Sequence, residues 1–287
     1  MILFIRRRKL GHGSTRGLVA ALKENHGIES VVWRNDKPFP DVPFTHAVRW
    51  GCTSNLNVKP EGLKYFNDAK GIHNVADKAG YAEKMWEEYG VGLQDGFFRT
   101  PGTIPKTHPK WVWRPVHHAQ GRNLYVANGG AKVNKEGYAR PLIDKDSEYR
   151  VYVMFGRVVA VAKKTPGNPD DVAWNVAQGG RFDNCRWDDW HPNLMRVAIK
   201  SAAMSGLCLT GVDIMMEGDK AHFIECNSAP SLPMKDCDGT HTYRHKCIAK
   251  GLAWWYHGRD VAPVNLDKAG WRNYIHPSIW NKEKDYV

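Results

Sequence analysis

Short apolar runs separated by polar, glycine-containing loops make up the first quarter of the chain. Continuous apolar runs are typical of buried strands, whereas an apolar period near 3.6 residues is typical of a helix that packs on one side. Ser14 or Thr15 would serve as the N-cap of the helix. The pattern predicts strands at residues 1–7, 29–35 and 45–50 and a helix at 16–25. This order of elements favours a small α/β unit with a parallel sheet.

The remainder of the chain shows strand-like alternation interrupted by two amphipathic stretches. Turn residues between alternating runs are typical of β-hairpins. The predicted elements are a helix at 78–89, strands at 111–115 and 123–126, a hairpin at 148–163, a helix at 192–206 and a hairpin at 211–227. We find no internal repeat, so the chain is predicted to fold into several different lobes.

The hairpin at 211–227 carries candidate metal ligands. Glu225 and Asn227 lie two residues apart on its second strand and therefore share a face. Asp213 joins them if the loop has an odd number of residues, and a three-residue loop at 217–219 would place it opposite Phe223. A two-residue turn would instead send Asp213 to the other face. Three oxygen ligands on one face suit Mg²⁺; an ordinary surface hairpin is the alternative interpretation.

Size and composition are those of a soluble globular protein, with 287 residues of which 42% are hydrophobic and 25% charged. No segment approaches the ~20 consecutive apolar residues that a membrane-spanning helix needs. The apolar run at the N-terminus is short and its charges follow it, which is not the order found in a signal peptide. The six cysteines form no C-x-x-C pair. We therefore predict a cytoplasmic protein with no membrane partner and with reduced thiols.

The formal net charge of +11 points to an anionic partner. Residues 1–72 contain 12 Lys and Arg against 6 Asp and Glu. No nucleic-acid-binding motif of defined spacing accompanies this charge, although a nucleic acid remains a candidate substrate. Solvated surface charge is the alternative explanation. The predicted substrate contacts, at loops that follow strands, are Arg8, Lys9, Arg16 and Ser54.

Six segments, taken in chain order, resemble motifs of the ATP-grasp superfamily, and in particular those of glutathione-synthetase-like and RimK-like carboxylate–amine ligases. They lie at residues 74–78, 114–115, 118–122, 148–150, 175–180 and 211–230. The resemblance implies an α/β fold with α+β lobes and a nucleotide held between two of them. The implied domains are a small N-terminal α/β substrate domain at 1–72, a central lobe at 73–130, a C-terminal lobe with the metal site at 131–258, and an arm at 259–287.

The same resemblance implies roles for individual residues. Pro141 interrupts the usual adenine hinge and has no N–H, so Leu142 or Ile143 would supply the donor. An arginine of the family is replaced by Ala173, and Lys163 or Lys164 would act in its place. The implied catalytic residues are Arg150, Asn175 and Lys163. The implied nucleotide contacts are Lys78, Arg114, His118, Gly121, Arg122, Leu142, Ile143 and Glu148.

The function implied by the resemblance is ATP-dependent ligation of a carboxylate to an amine through an acylphosphate. ATP and two Mg²⁺ ions, or Mn²⁺, would be the cofactors, with the metal on Asp213, Glu225 and Asn227. The substrates would be small or macromolecular and anionic. An ATP-grasp kinase and a non-enzymatic nucleic-acid-binding protein are the alternatives, and the convergent metal ligands argue against the second. The oligomeric state is not predicted.

Overall fold

A computed structural model describes residues 1–8, 11–54, 56, 62–89, 96–116, 123–174, 176–186, 189–232 and 242–259. These residues form three sheets and five α-helices. The C-terminal arm predicted from residue 259 lies outside the described residues, apart from Arg259. No helix in the described ranges combines the length and the apolar composition that crossing a membrane requires.

The N-terminal sheet is parallel, as the sequence predicts, with strand order β2-β1-β3-β4. The helix α1 begins four residues before the predicted start. Its N-cap is Gly11, in the left-handed region at φ 70°, and a Cβ there would overlap the Trp50 ring. Ser14 therefore lies within the first turn instead of capping it. The elements are β1 (Ile2–Arg6), α1 (His12–His26), β2 (Ser30–Arg34), β3 (His46–Trp50) and β4 (Lys64–Phe66).

Two helices lead from this sheet into the central one. The central sheet is antiparallel, with strand order β5-β8-β6-β7. Its strand β8 pairs with both β5 and β6, so the central sheet extends past the predicted division at residue 130. The elements are α2 (Ala69–Ala76), α3 (Lys78–Tyr89), β5 (Phe98–Thr103), β6 (Lys110–Pro115), β7 (Tyr125–Asn128) and β8 (Lys132–Pro141).

The third sheet has strand order β11-β10-β9-β12-β13. Both predicted hairpins are present in it, and the predicted helix at 192–206 is α4. The helices α2 and α5 and the strands β4, β5, β8 and β11 have no counterpart in the sequence prediction. The elements are β9 (Ser147–Met154), β10 (Arg157–Thr165), β11 (Arg181–Asn184), α4 (Pro192–Ser205), β12 (Leu209–Glu217), β13 (Lys220–Asn227) and α5 (Tyr243–Tyr256).

Alternation along the third sheet separates an apolar face from a polar one. Val151 and Val153 are buried in the main hydrophobic cluster, where α4 packs against β12 and β13. Glu148, Arg150 and Tyr152 alternate with these valines on β9 and face the other way. The apolar face packs against α4 and stabilises the lobe, and the opposite face presents Glu148 and Arg150.

Candidate active site

The centre of the polar face is a buried pair of opposite charges. Arg150 on β9 stands opposite Asp213 on β12 in the sheet register. Its Nε donates to Asp213 Oδ1 at 2.6 Å and its Nη2 donates to Oδ2 at 2.8 Å, so the pair is bidentate. Arg150 is 9% exposed and Asp213 is 3% exposed. The Arg150 guanidinium also lies over the Phe182 ring, 4.9 Å from its centroid.

Two lysines extend this pair into a network. Lys164 on β10 donates to Asp213 Oδ2 at 2.9 Å and to Glu148 Oε1 at 2.5 Å. Lys145 donates to the other oxygen of Glu148 at 2.6 Å and to the carbonyl of Val172 at 2.8 Å. Burial alone would lower the pKa of Lys164, but the charges of Asp213 and Glu148 raise it above its ordinary value. Lys164 is therefore a fully charged cation shared by two carboxylates.

Burial has the opposite effect on the carboxylates. It would raise the pKa of Asp213, but the charges of Arg150 and Lys164 outweigh it and hold that pKa well below its usual range. The pKa of Glu225 is lowered for the same reason, with Lys78 as the opposing cation. Both carboxylates are thus ionised at neutral pH, as metal ligation requires.

The hairpin brings Asp213 and Glu225 together by a different route from the predicted one. The loop has two residues, because Glu217 pairs with Lys220, and a regular ladder beyond it would put the two carboxylates on opposite faces. A bulge at Ile224 restores the match: Ile214 pairs with Phe223, while Asp213 pairs with Glu225. Of the two loops that the sequence left open, the two-residue turn occurs. The expectation that this turn would send Asp213 to the other face was wrong, because the bulge restores the shared face.

A buried arginine holds this bulge. Arg140, on β8 of the central sheet, donates through Nη1 to the carbonyl of Ile224 at 3.1 Å and through Nη2 to the carbonyl of Phe223. It is 5% exposed, and burial together with the charge of Arg114 lowers its pKa to about 9. Arg140 therefore links the central sheet to the bulge at Ile224, which sets the direction of the Glu225 side chain.

Replacing Arg140 tests this role. We expect Arg140→Met to lower the free energy of unfolding by about 1–3 kcal/mol, because two buried carbonyls lose their donor. ATP turnover should fall by about 10²-fold, because a small displacement of Glu225 misaligns the site. Denaturant unfolding and ADP release measure the two effects. Lys132→Met, on an exposed part of the same strand, is the matched control and should change neither. Unchanged turnover in a destabilised Arg140→Met protein would contradict the positioning role.

Glu225 links the metal candidates to the nucleotide candidates. Its Oε2 contacts Lys78 Nζ at the start of α3, and its Oε1 accepts from Asn227 Nδ2 at 3.1 Å. Its side chain is 19% exposed, so it lies at the boundary between the buried network and solvent. The structure thus places the predicted phosphate lysine within reach of the predicted metal ligands.

Lys163 does not join the cluster. It is exposed and points away from Glu148, because successive residues of β10 alternate between the two faces. Lys164, the neighbour that the sequence left as the second choice, occupies the expected place. We therefore propose Lys164, instead of Lys163, as the cation that acts in place of the family's arginine.

The two adjacent lysines provide a matched pair of variants. Lys164→Met should lower the free energy of unfolding by about 1.5–3 kcal/mol, since it removes a charged donor from two buried carboxylates, while Arg150 and Lys145 still neutralise them. It should also reduce ADP release. Lys163→Met should change stability by less than about 0.5 kcal/mol. Urea unfolding and ADP release distinguish the two, and equal effects from both variants would refute the alternation of faces.

The contacts of the predicted hinge and of the adjoining strand show which residues there could contact a nucleotide. The N–H of Leu142 donates to the carbonyl of Lys110 at 3.0 Å, so the role of hinge donor passes to Ile143. Leu142 keeps the proposed role of flanking the base. Arg114 Nε is buried and has no hydrogen-bond partner within the described ranges. Burial lowers the pKa of Lys145, the charge of Glu148 opposes this shift, and the charges of Lys164 and Arg114 add to it.

The donor set fits a hard divalent cation. Asp213, Glu225 and Asn227 offer only oxygen and amide ligands on one face, which is the chemistry that Mg²⁺ prefers. The carboxylate oxygens of Asp213 and Glu225 now accept from Arg150, Lys164 and Lys78, cations that phosphate groups would attract. No group of three or more His, Cys, Asp or Glu with metal-site geometry occurs among the described residues, so this set depends on its asparagine and on a bound ligand.

Three of the predicted substrate residues lie in the described ranges, and all three belong to the N-terminal α/β unit. Arg8 is exposed and 3.9 Å from Asp36, and Arg16 is exposed on the first turns of α1. Ser54 Oγ accepts from Asn35 Nδ2 at 2.9 Å. The predicted residues Lys9, His118, Gly121, Arg122 and Asn175 lie outside the described residues.

Two residues of the site were missed from the sequence. Lys145 stands three residues before Glu148, a spacing that could have drawn attention to it. Arg140 precedes Pro141 in a segment interpreted only as a hinge, and no local pattern shows that its side chain reaches another sheet. Arg140 has its partners far away in sequence, and Lys145 stands outside the six segments although its partner Glu148 lies in one of them.

Part of the chain is similar in sequence to known proteins. The family model of the RimK-like ATP-grasp domain matches residues 142–248. A probable alpha-L-glutamate ligase from Parasynechococcus marenigrum (strain WH8102) is 24% identical over 211 residues, an alignment that covers 67% of this chain and 43% of the relative. The chain thus spans less than half the length of that relative.

Solved structures with a similar fold cover most of the chain. A D-alanine–D-alanine ligase from Bacillus anthracis superposes with a TM-score of 0.63 at 12% identity, over 90% of this chain and 98% of that one. The ATP-grasp ligase PsnB, complexed with minimal precursor, Mg and ADP, gives a TM-score of 0.59 at 13% identity, over 88% and 96%. The predicted α/β ATP-grasp fold and the resemblance to RimK-like proteins are confirmed.

Proposed function

Because residues 142–248 match the family model of the RimK-like ATP-grasp domain, we propose that this protein is an ADP-forming carboxylate–amine ligase. The observation that carries the proposal is the convergence of Arg150, Lys164, Asp213 and Glu225 on one sheet face, with Lys78 beside them. Such a set of fixed charges is suited to holding a triphosphate against an attacking carboxylate.

The reaction has two steps. A substrate carboxylate oxygen attacks the γ-phosphorus, the bond to the β-phosphate oxygen breaks, and ADP leaves. The amine nitrogen then attacks the acyl carbon, the acyl–oxygen bond breaks, phosphate leaves, and the nitrogen loses a proton. Arg150 and Lys164 would neutralise the transferred phosphoryl group, with Lys78 and Arg114 on the remaining phosphates. Glu148 would hold the ribose, and Asn175 the reacting carboxylate.

Further contacts of the nucleotide are proposed from the family resemblance. His118, Gly121 and Arg122 would cover the phosphates, and Leu142 and Ile143 would flank the base. Asp213, Glu225 and Asn227 would hold Mg²⁺, which we propose as two ions or their Mn²⁺ equivalents, and bound metal would offset the charge of the phosphate oxygens. Mg and ADP in the PsnB complex support this assignment.

The substrates are proposed to be an amino acid or peptide carboxylate and an amine. The similarity to a probable alpha-L-glutamate ligase and to a D-alanine–D-alanine ligase supports these classes. Arg8, Lys9, Arg16 and Ser54 would contact an anionic part of one substrate. We propose residues 1–72 as the domain that carries these contacts.

The test is ADP release in a matrix of carboxylates and amines, with products identified by mass spectrometry. A ligase releases ADP and phosphate in equal amounts only when both partners are present, and the product mass equals their sum less one water. ADP release with a phosphorylated hydroxyl product and no amine would instead establish a kinase. Absence of ADP release, combined with tight ATP-independent binding to nucleic acid, would reject both enzymes.

A further inference from the structure

A separate cavity of about 360 Å³ opens at the carboxyl ends of β1 and β2, beside the start of α1. This place in a parallel α/β sheet is where ligands commonly bind. Its basic lining comes from β1, α1, β2 and the loop after β2, and within the described part of the chain no acidic side chain lines it. The basic residues are Arg6, His12, Arg16, Arg34 and Lys37.

Most of the basic side chains that line the cavity are not held in ion pairs among the described residues. Arg34 is neutralised by Asp36, which accepts from its Nε at 2.7 Å and from its Nη2 at 3.0 Å. In the described ranges, Arg6, Arg16 and Lys37 form no ion pair within 4.0 Å. The charge of Asp36 reaches Arg6 as well. This carboxylate is already paired with Arg34, so the positive charge around the concave space exceeds the negative charge.

Arg6 is fixed in the wall of the cavity. It is 7% exposed, and its Nη1 donates to the carbonyls of Arg7 and Arg8 at 3.1 and 3.2 Å. Its Nη2 donates to His12 Nδ1 at 3.1 Å, and its Nε is buried with no hydrogen-bond partner in the described residues. Burial and the charge of Arg34 lower the pKa of Arg6, and the charge of Asp36 opposes this shift only in part. An anion in the cavity would relieve this unbalanced charge.

The start of α1 adds the positive end of a helix dipole. The helix has fifteen residues, its N-cap Gly11 provides no side-chain hydrogen bond, and its first turn contains no acidic residue. The first N–H groups of such a helix bind anions. His12, Thr15 and Arg16 of this turn line the cavity, so the helix dipole and the side-chain charges act on the same space.

We infer that this cavity binds a phosphate-type dianion carried by one of the substrates, an assignment whose catalytic meaning rests on the proposed ligase function. Three unpaired cations and a helix N-terminus exceed what a single carboxylate would neutralise. A concave space of this size suits a terminal phosphate group, whereas a nucleic-acid backbone is bound along an extended basic stripe. The substrate class is therefore a phosphorylated small carboxylate or amine.

The probe is inorganic phosphate, titrated calorimetrically into the protein whose nucleotide site is filled with Mg²⁺ and a nonhydrolysable ATP analogue. Arg16→Gln combined with Lys37→Gln removes two exposed charges without disturbing the core. We expect binding to weaken by at least about tenfold. The matched control is Lys132→Gln combined with Arg196→Gln, two exposed cations on β8 and α4, which should leave binding unchanged.

Absence of phosphate binding by the wild-type protein up to about 10 mM would overturn the inference. Equal losses of binding in both double variants would do the same. So would displacement of phosphate by a DNA oligonucleotide without terminal phosphates, if the binding of that oligonucleotide falls steeply with salt. None of these measurements requires turnover. The ligase proposal is tested separately by amine-dependent ADP release. Failure of that proposal can therefore be distinguished from failure of the phosphate-site inference.

Discussion

The Glu225→Gln variant is expected to release ADP at least ~10³-fold more slowly than the wild-type protein, while its melting temperature stays close to that of the wild type. Glutamine keeps the size of the side chain but removes the charge that the proposed Mg²⁺ and Lys78 share. Glu225 lies at the edge of the buried network, with 19% of its side chain exposed, so the fold does not depend on it. Thermal unfolding and ADP release measure the two properties.

Asp219→Asn is the control for this variant. Asp219 lies in the two-residue turn of the same hairpin, and its exposed carboxylate contacts His191 at 3.2 Å, away from the cluster. The substitution removes the same charge from the same element and should leave ADP release within a factor of about two. Near-normal turnover in Glu225→Gln would remove the assignment of Glu225 as a metal ligand.

The Arg150→Gln variant is expected to lose about 3–5 kcal/mol of unfolding free energy, because it leaves Asp213 buried with only Lys164 to balance it. ADP release should be lost as well, since Arg150 faces the proposed phosphoryl group. The exposed pair of Arg181 and Asp183 in the same sheet provides the comparison. Arg181→Gln should cost no more than about 1 kcal/mol, since water screens that pair.

A double variant separates charge pairing from packing. Combining Arg150→Gln with Asp213→Asn removes both charges, and we expect it to regain part of the stability lost in Arg150→Gln alone. Activity should stay absent, because both side chains belong to the proposed site. If the single variant unfolds at the wild-type denaturant concentration, Arg150 and Asp213 are not a buried pair in solution.

Elements with a clear period were predictable. The strands β1, β2 and β3, the helices α3 and α4 and both hairpins follow from local patterns of apolar residues. α5 was missed because it is buried on several sides, with Arg244, His245 and Gly251 among its buried residues, so it shows no apolar stripe. β5 was missed because its sequence contains Pro101 and Gly102, which are typical of turns; the strand tolerates proline at the edge of its sheet.

Spacing along a strand decides which residues share a face only while the ladder is regular. The sequence places Glu225 and Asn227 on one face, since they are two residues apart. The spacing does not predict the bulge at Ile224, which brings Asp213 to the same face. Nor does it choose between Lys163 and Lys164, because the register of β10 against β9 depends on pairing with a distant strand.

The sequence by itself determined the order of the ATP-grasp-like motifs, the oxygen chemistry of the candidate metal ligands and the excess of positive charge near the N-terminus. These are properties of residue type and spacing. Only the tertiary structure decided that Arg150 and Lys164 neutralise Asp213, that Arg140 supports the bulge, and that Arg6, Arg16 and Lys37 surround one cavity. Such contacts join strands and helices that are far apart along the chain, and burial sets their strength, so no local pattern records them.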